Sequence, residues 1–246
     1  MLSKRDLKYF KSLQLKKYRQ QERKFLVEGA KGVEETLASA YEVEALLGVE
    51  SYLDQLSDSL KDKAAKVAEV KERDLVQVGT FKSNQSALAI VKMPEAKALK
   101  VQNGELTLVL DGINDPGNLG TIIRIADWYG VKQIVCSMDT TDVYNPKVIN
   151  STMGSYTRVE IHYTYLKDLL SDLQLPIYGT LLDGNSIYNS ELKKGVIIMG
   201  SESHGIRPEL RALVTHPLKI PGKGQAESLN VAVSTAVVLD NFARGL

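Results

Sequence analysis

Short runs of predominantly apolar residues are the feature that most limits how this 246-residue chain can fold. Three of them are TLVLDGI at 107–113, QIVCS at 133–137 and VIIMG at 196–200. The first of them is rich enough in β-branched and apolar residues to be a strand of a parallel sheet that is buried on both faces, and the other two are predicted as further strands. Further strands are predicted at 158–163, 177–182 and 218–222, and helices at 119–130, 146–153, 165–173, 207–214 and 229–243. This alternation predicts an α/β fold with a mostly parallel sheet covered by helices on both faces.

The amino-terminal part of the chain has the pattern of a second, smaller α/β domain. Predicted elements are helices at 4–22, 32–40 and 52–70, a short buried strand or helix lead-in at 25–29, a strand at 43–49, and a helix, turn and strand within 72–93. The polar stretch PEAKALKVQNGE follows at 94–105 and has the composition of a linker. We therefore predict domains at 1–95 and 106–246, joined by a linker at 96–105.

Basic residues are concentrated at the amino terminus, although the net charge of the chain is only +1. Residues 1–24 contain nine Lys and Arg side chains against two acidic ones. A local cationic patch can neutralise RNA phosphates even on a nearly neutral protein. The candidate RNA-binding residues are Lys16, Lys17, Arg19, Arg23 and Lys24. A solvated helix face would give the same pattern, and the interleaved Tyr9, Phe10 and Tyr18 could stack on bases or belong to the core.

Several classes of protein are disfavoured by the sequence. No apolar run approaches the roughly 20 residues of a membrane-spanning helix, and the charged start does not resemble a signal peptide. The single Cys136 and the scattered His162, His204 and His216 disfavour a zinc cage or other metal site. Neither a Walker A loop nor the glycine fingerprint of a Rossmann oxidoreductase is present. We expect a cytoplasmic protein without a metal or a membrane partner.

Three of the predicted strands end in loops that combine glycines with polar side chains. The loops read DGINDPGNLG at 111–120, GSESHG at 200–205 and PGKGQAESLN at 221–230. Ligands of parallel sheets bind beyond the carboxyl ends of the strands, so these loops predict one shared site. Each residue also has a plainer explanation. Asn118, Ser228 and Asn230 could be helix caps, Glu202 could begin a helix, and Arg124 could pair with Asp127 on the surface.

Taken together, the loops closely match the motifs of one family. NLGTIIR supplies Asn118, Gly120 and Arg124, a strand ending in G-x-E-x-x-G supplies the second motif, and IPGKGQAESLNV supplies the third. In this combination the chain resembles the SpoU (TrmH) family of RNA 2′-O-ribose methyltransferases, within the SPOUT class. Gly117, Gly222 and the Ser203–His204 pair depart from the residues common in the family, which leaves the substrate preference open. The stretch SLQLKKYRQQERKFLVEGAKGVEETL is similar to the L30e-like substrate-binding domain often attached to this family.

The resemblance implies an activity, a cofactor and a set of site residues. It implies transfer of a methyl group from S-adenosylmethionine to a ribose 2′-hydroxyl of RNA, with ribosomal RNA favoured by the attached domain. It also implies a deep trefoil knot and a homodimer whose active site is completed across the interface. The implied catalytic residues are Arg124, Asn118, Glu202, Ser228 and Asn230. The implied cofactor-binding residues are Gly200, Ser201, Glu202, Gly205, Ile220, Pro221, Gly224, Ser228 and Leu229.

Two alternatives stay open on the same scaffold. One is a tRNA 2′-O-methyltransferase, and the other is a non-catalytic RNA-binding assembly factor. If the protein is an enzyme, Arg124 is a poor candidate for the general base, because guanidinium stays protonated in proteins. We therefore expect Arg124 to anchor phosphate and to stabilise a developing alkoxide.

Overall fold

A computed structural model of the chain describes residues 3–245, which form two compact units. The first unit contains the chain up to Lys97 together with Asp142–Thr157. The second contains Ala98–Thr141 and the chain from Arg158 onwards. A segment from the middle of the sequence thus belongs to the amino-terminal unit, an assignment that the order of the sequence does not reveal.

The first unit has a four-stranded sheet with helices around it. Its elements before Lys97 are α1 (Lys4–Ser12), α2 (Lys16–Glu22), β1 (Lys24–Glu28), α3 (Ala30–Leu37), β2 (Val43–Gly48), α4 (Glu50–Gln55), α5 (Asp58–Lys61), β3 (Val67–Glu69), α6 (Glu72–Val78) and β4 (Ala87–Lys92). The strand order is β1-β4-β2-β3, in which β4 is antiparallel to both neighbours and β3 is parallel to β2. The core on this sheet is built from fully buried side chains such as Leu13, Leu26 and Ile90.

The remaining elements follow in chain order. They are β5 (Thr107–Asp111), α7 (Pro116–Trp128), β6 (Gln133–Ser137), α8 (Pro146–Thr152), β7 (Glu160–Thr164), α9 (Leu166–Ser171), β8 (Ile177–Ser186), β9 (Val196–Gly200), α10 (Pro208–Arg211), β10 (His216–Lys219) and α11 (Val231–Gly245), with 3-10 turns at Ser155–Thr157 and Ile187–Asn189. The six strands of the second unit lie in the order β10-β8-β9-β5-β6-β7, and every adjacent pair is parallel. The predicted parallel sheet is therefore confirmed.

The burial of the central strands explains this arrangement. All five residues of β5 are buried, as its predominantly apolar run predicted, and the first four residues of β9 are buried as well. Val109, Val135 and Ile198 belong to one core cluster that crosses three adjacent strands. This sheet brings the carboxyl ends of its parallel strands to one edge, and the three motif loops begin there, after β5, β9 and β10.

Two expected helices of the first unit are wrong. The helix predicted at 4–22 is broken into α1 and α2, because Leu13 is fully buried and the backbone turns back through a hydrogen bond from Leu15 N to Ser12 O. The helix predicted at 52–70 is replaced by α4, α5 and β3. Pairing with β2 makes β3 a strand, and its exposed residues carry no apolar pattern that could have revealed it.

The segment Asp142–Thr157 contributes aromatic packing and a charge to the first unit. The ring of Tyr144 lies 4.7 Å from that of Phe25, and the ring of Tyr156 lies 5.3 Å from that of Tyr41. The hydroxyl of Tyr156 also shares a hydrogen bond of 2.5 Å with Thr36. Phe25, Thr36 and Tyr156 are buried in the core of the unit, so the segment is part of the unit's structure rather than a surface loop.

No helix in the described part of the chain is long and apolar enough to cross a membrane.

Candidate active site

Asn118 is presented to the site by the start of α7. The amino cap of this helix is Asp115, whose Oδ1 accepts from the backbone N–H of Asn118 at 2.8 Å, and Pro116 fills the first helical position. The plainer explanation of Asn118 as the cap is therefore wrong. Since Asp115 does the capping, the side-chain amide of Asn118 is left to make contacts elsewhere.

The side chains of Asn118, Glu202 and Asn230 form one hydrogen-bonded cluster, which we call the amide–carboxylate cluster. Asn118 Nδ2 donates to Glu202 Oε1 at 2.5 Å. Asn230 Nδ2 donates to Asn118 Oδ1 at 2.9 Å and to Glu202 Oε1 at 3.0 Å. Each of the three motif loops supplies one member, although the loops are far apart in sequence. Within the described residues, Glu202 Oε2 accepts no hydrogen bond, so this exposed oxygen can accept one from a ligand.

Asn230 also caps the last helix. Its Oδ1 accepts from the backbone N–H groups of Ala232 at 3.0 Å and Val233 at 3.3 Å, at the start of α11. The cap predicted as a plain alternative is therefore real, but it uses only the oxygen of the amide. The nitrogen of the same amide belongs to the amide–carboxylate cluster, so α11 and the site are fixed together.

The second motif is a tight turn whose shape requires its glycines. Ser201 and Gly205 pair through two backbone hydrogen bonds of 3.1 and 2.8 Å. Gly205 has φ +66°, a conformation that favours glycine. A Cβ on Gly200 would lie 2.1 Å from the backbone carbon of Gly205, so no larger residue fits there. The turn between them projects Glu202 outwards.

The third motif is an open loop. Ile220 is half-buried, and every residue of 221–230 is exposed and outside any helix or strand. A Cβ added to Gly222 or Gly224 would meet nothing within 4 Å, and in the described part of the chain no hydrogen bond involves the side chain of Ser228. Leu229 is exposed as well. An adenosine ligand is bound through exposed backbone groups and apolar contacts, and this loop together with the glycine turn offers both. The predicted cofactor-binding residues fit S-adenosylmethionine on that ground.

Arg124 does not make the surface ion pair considered as its plain explanation. Asp127 instead accepts from Arg158, with Nε to Oδ1 and Oδ2 distances of 3.1 and 3.0 Å. Arg124 is exposed and has no hydrogen bond or ion pair with any described residue. It lies six residues after Asn118 on α7, which at about 100° per residue points it about 120° away around the helix. Arg124 therefore faces away from the amide–carboxylate cluster of its own chain.

An ion pair that the sequence did not predict ties the first and second motif loops together. Asp111 ends β5 with only 1% of its surface exposed. Its carboxylate accepts from the backbone N–H of Arg207 at 2.8 Å and from the Arg207 Nε at 2.6 Å. Arg207 follows the glycine turn directly and also reaches Asp139 at 3.3 Å. The sequence did contain a signal for this pair, because Asp111 ends a predominantly apolar strand and a buried carboxylate needs a cation as its partner.

The hydrogen bonds around Asp139 favour its charged form. A hydrogen bond from Ser137 lowers the pKa of Asp139 from its usual value, and the nearby Arg207 guanidinium lowers it further. Hydrogen bonding to Asp111 in turn raises the pKa of Arg207. This part of the site is therefore an ionised network at neutral pH. Among the described residues, no group of three or more His, Cys, Asp or Glu could hold a metal ion.

The predicted RNA-binding residues of the first unit differ in their environments. Lys16, Lys17 and Arg23 are exposed, and Lys17 lies 6.0 Å from the centre of the Tyr18 ring. Lys24 is mostly buried, where its amine donates to Glu44.

The prediction that Arg19 binds RNA is wrong. Only 2% of its surface is exposed, and its guanidinium donates to the carbonyls of Leu13 and Gln14 and pairs with Asp142 at 2.7 Å. The charge of Arg19 is used inside the unit, so this residue is not available to RNA. Its charge in the sequence gave no sign of this, because the partner Asp142 lies far along the chain.

Comparisons with known proteins agree with this geometry. The profile of the SpoU rRNA methylase family matches residues 105–240, which is more than half of the chain and includes all three motif loops. The chain belongs to the SpoU rRNA methylase family. The profile of an MRM3-like substrate binding domain matches residues 4–89.

Relatives and solved structures match over almost the whole chain. A protein of Bacillus subtilis named 23S rRNA (guanosine(2553)-2'-O)-methyltransferase RlmP is 31% identical over 95% of this chain and 94% of its own length. The structure of a putative RNA methyltransferase of the TrmH family from Porphyromonas gingivalis is 36% identical, with a TM-score of 0.88 and 99% of both chains covered. An AdoMet-bound rRNA methyltransferase from Sinorhizobium meliloti is 28% identical, with a TM-score of 0.89, 100% of this chain and 97% of that chain covered.

Proposed function

We propose that this protein transfers a methyl group from S-adenosylmethionine to a ribose 2′-hydroxyl of ribosomal RNA in the cytoplasm. The observation that carries the proposal is the amide–carboxylate cluster, in which one side chain from each motif loop meets the other two. The names of the relatives add support, since the Bacillus subtilis protein is a 23S rRNA 2′-O-methyltransferase. The match of residues 4–89 to a substrate-binding domain supports a large RNA substrate.

The chain's own residues bind and orient the two reactants. S-adenosylmethionine, when bound by the glycine turn and the 221–230 loop, supplies an electrophilic methyl group. Glu202 Oε2 accepts a hydrogen bond from the acceptor ribose, while Asn118 and Asn230 hold the carboxylate through its other oxygen. A ribose hydroxyl is a weak nucleophile, so this fixed orientation accounts for much of the acceleration. The 2′-oxygen forms the new bond to the methyl carbon while the bond from that carbon to sulfur breaks, its electron pair leaving on the neutral thioether, and the hydroxyl proton is released to solvent.

Arg124 supplies positive charge in this scheme. Its guanidinium keeps its proton, so it binds a phosphate beside the acceptor ribose and stabilises negative charge that develops on the 2′-oxygen. Because Arg124 faces away from the amide–carboxylate cluster of its own chain, the site that it serves belongs to a second copy of the protein.

Exposed apolar residues support this homodimer. Trp128 is 84% exposed and lies four residues after Arg124, on the same face of α7. Val233 on α11, a helix that packs against α7, is also exposed. Large apolar side chains left exposed on packed helices are typical of a protein interface. Covering Trp128 with a second copy would also place Arg124 at the interface. The trefoil knot implied by the family resemblance is part of the same proposal.

Transfer of tritium from labelled S-adenosylmethionine tests the proposed function. The acceptors would be ribosomal RNA and transfer RNA from cells that lack the protein, and the labelled nucleotide would be mapped. We expect label at one ribose of ribosomal RNA, lost with Arg124→Ala but retained with Lys132→Ala, an exposed change at the amino-terminal edge of the sheet. Label on transfer RNA alone would contradict the substrate. Binding of the cofactor without transfer to either RNA would favour a non-catalytic RNA-binding factor.

A further inference from the structure

A pocket of about 310 Å³ lies in the second unit, next to the Asp111–Arg207–Asp139 network, and has no role in the scheme proposed above. It is lined by residues that follow β6 and β7 and by residues around the start of α10. These include Ser137, Met138, Asp139, Tyr165, Lys167 and Arg207. Because carboxyl ends of parallel strands share an edge, the pocket opens on the same edge of the sheet as the amide–carboxylate cluster.

The position of the pocket in the strand order separates it from the cofactor loops. In the order β10-β8-β9-β5-β6-β7, the two loops assigned to the cofactor follow β9 and β10, on one side of β5. Most of the pocket's lining follows β6 and β7, on the other side of β5, and Arg207, Glu209 and Leu210 after β9 close it. Asn118 follows β5 itself. A ligand in this pocket would therefore lie on the β6–β7 side of the loop that leads to Asn118.

The rim of the pocket carries two apolar side chains that the fold leaves uncovered. Tyr165 is 72% exposed and Met138 is 56% exposed. Exposed aromatic rings at nucleic-acid sites stack on bases, because every base has an unsaturated face. A volume of about 310 Å³ lies at the low end of the roughly 300–1,000 Å³ of ligand pockets, which suits one base better than a dinucleotide.

Charged groups in the pocket match the polar parts of a nucleotide. Lys167 is exposed and has no ion pair with any residue that the structure describes, so it is free to bind phosphate. Asp139 is ionised and half exposed, and a carboxylate accepts hydrogen bonds from the N–H groups on the edge of a base. The pocket thus combines a stacking surface, a phosphate-binding cation and an acceptor for a base edge.

The walls of the pocket are hydrogen-bonded to the loop that leads to Asn118. The backbone N–H of Gly112 donates to Ser137 Oγ at 2.9 Å, and that of Thr141 donates to the carbonyl of Ile113 at 2.9 Å. Arg207 joins the pocket to Asp111 at the end of β5. A ligand held in the pocket is therefore held in a fixed relation to the start of α7.

We propose that this pocket binds a single unstacked base of the RNA strand, stacked on Tyr165, beside the ribose that receives the methyl group. The proposal rests on the proposed function and adds to it a subsite that selects single-stranded RNA. Bases in a helix are stacked on both sides and cannot enter, so the pocket requires a loop or bulge in the substrate.

Steady-state kinetics and ultraviolet cross-linking test the proposal on the full-length protein, with ribosomal RNA from cells that lack it. Tyr165→Ala removes the ring, and we expect KM for RNA to rise about tenfold, from the loss of one stacking contact, with little change in S-adenosylmethionine affinity. Tyr165→Phe keeps the ring and is expected to stay within about twofold of the wild type. Lys167→Ala is expected to raise KM, whereas Lys132→Ala at the opposite edge is the matched control. Thermal melting of each variant checks that it is folded.

Cross-linking separates failure of the pocket from failure of the proposed function. We expect the wild-type protein to form an RNA adduct on the peptide that contains Tyr165. An unchanged KM for Tyr165→Ala together with no adduct on that peptide would overturn the pocket. Loss of S-adenosylmethionine affinity in Tyr165→Ala would instead make it part of the cofactor site. Absence of methyl transfer by the wild type would contradict the proposed function alone, since the adduct still reports on the pocket.

Discussion

At the scale of single residues, the side-chain amide of Asn230 contributes both to the stability of the fold and to the geometry of the site. Its oxygen caps α11 and its nitrogen donates to Asn118 and Glu202. A helix cap contributes about 1 kcal/mol of stability, whereas one oriented donor in an active site commonly accounts for a 10²–10³-fold change in rate. The two roles can therefore be separated by a substitution that keeps only the oxygen.

Asn230→Asp is that substitution. It keeps an oxygen for the cap, removes the N–H donor and places a second carboxylate beside Glu202. We expect methyl transfer to fall about 100-fold while the melting temperature stays near that of the wild type. Asn230→Ala is the comparison, because it loses the cap as well and is expected to unfold about 1 kcal/mol more easily in urea. Full activity of the Asp variant would mean that the donor is not needed.

At the scale of elements, the sheet of the second unit was predictable because its central strands β5, β6 and β9 are predominantly apolar and buried. The runs at 133–137 and 196–200 have the observed bounds of β6 and β9. The three motif loops followed from the rule that ligands bind at carboxyl ends of strands, together with the family resemblance. Their mutual hydrogen bonds, by contrast, depend on which strands are neighbours. Only the order that places β9 beside β5 brings Glu202 to Asn118.

Other parts of the structure could not be predicted because they depend on contacts between distant residues. The strand β3 exists through its pairing with β2 rather than through its own pattern. Arg19 reads as a surface charge until Asp142 is placed beside it. The pocket beside Asp139 and Tyr165 is formed by loops whose residues have no motif.

The ion pair between Asp111 and Arg207 connects β5 to the loop after β9, and its removal should be costly. Arg207→Met leaves the Asp111 carboxylate buried without a cation. We expect the free energy of unfolding to fall by about 2–3 kcal/mol, below the 3–5 kcal/mol of fully buried pairs, because the Arg207 side chain is 41% exposed. Urea unfolding measures this change.

The double variant Asp111→Asn/Arg207→Met is the control for that experiment. Neutralising the buried carboxylate should restore part of the lost stability, since the remaining cost of the single change is an unpaired charge. A double variant no more stable than Arg207→Met would show that the unpaired charge is not the cause.

At the scale of the whole molecule, the proposed dimer makes each site depend on two chains. Residues of the amide–carboxylate cluster come from one protomer, and Arg124 comes from its partner. Two inactive variants that fail in different parts of the site should therefore complement each other when they share a dimer.

Mixing Arg124→Ala with Asn230→Asp tests this dependence. In a heterodimer, one site has an intact cluster and receives Arg124 from the other chain, while the second site has neither. With random exchange, half of the dimers are mixed and one site in two is active, so we expect about a quarter of wild-type activity. Methyl transfer after co-refolding measures it. No recovery would place Arg124 in the site of its own chain.

Trp128→Arg gives an independent measurement of the dimer. A charge in the centre of an apolar interface is strongly unfavourable, so light scattering should show a monomer. We expect the monomer to lose methyl transfer, because Arg124 no longer reaches the site of a partner. A dimer of unchanged mass would place the interface elsewhere.

The segment Asp142–Thr157 determines when the amino-terminal unit can be completed during synthesis. A fragment that ends at Lys97 lacks Tyr144, Tyr156 and the carboxylate that neutralises Arg19. We expect such a fragment to show no cooperative melting by circular dichroism, and a synthetic 142–157 peptide to restore it. Cooperative melting of the fragment alone would show that the segment is dispensable. Domains usually mature in the order in which the ribosome releases them. Here, by contrast, the amino-terminal unit cannot complete its fold until residues 142–157, which follow β5 and β6 of the second unit, have left the ribosomal exit tunnel.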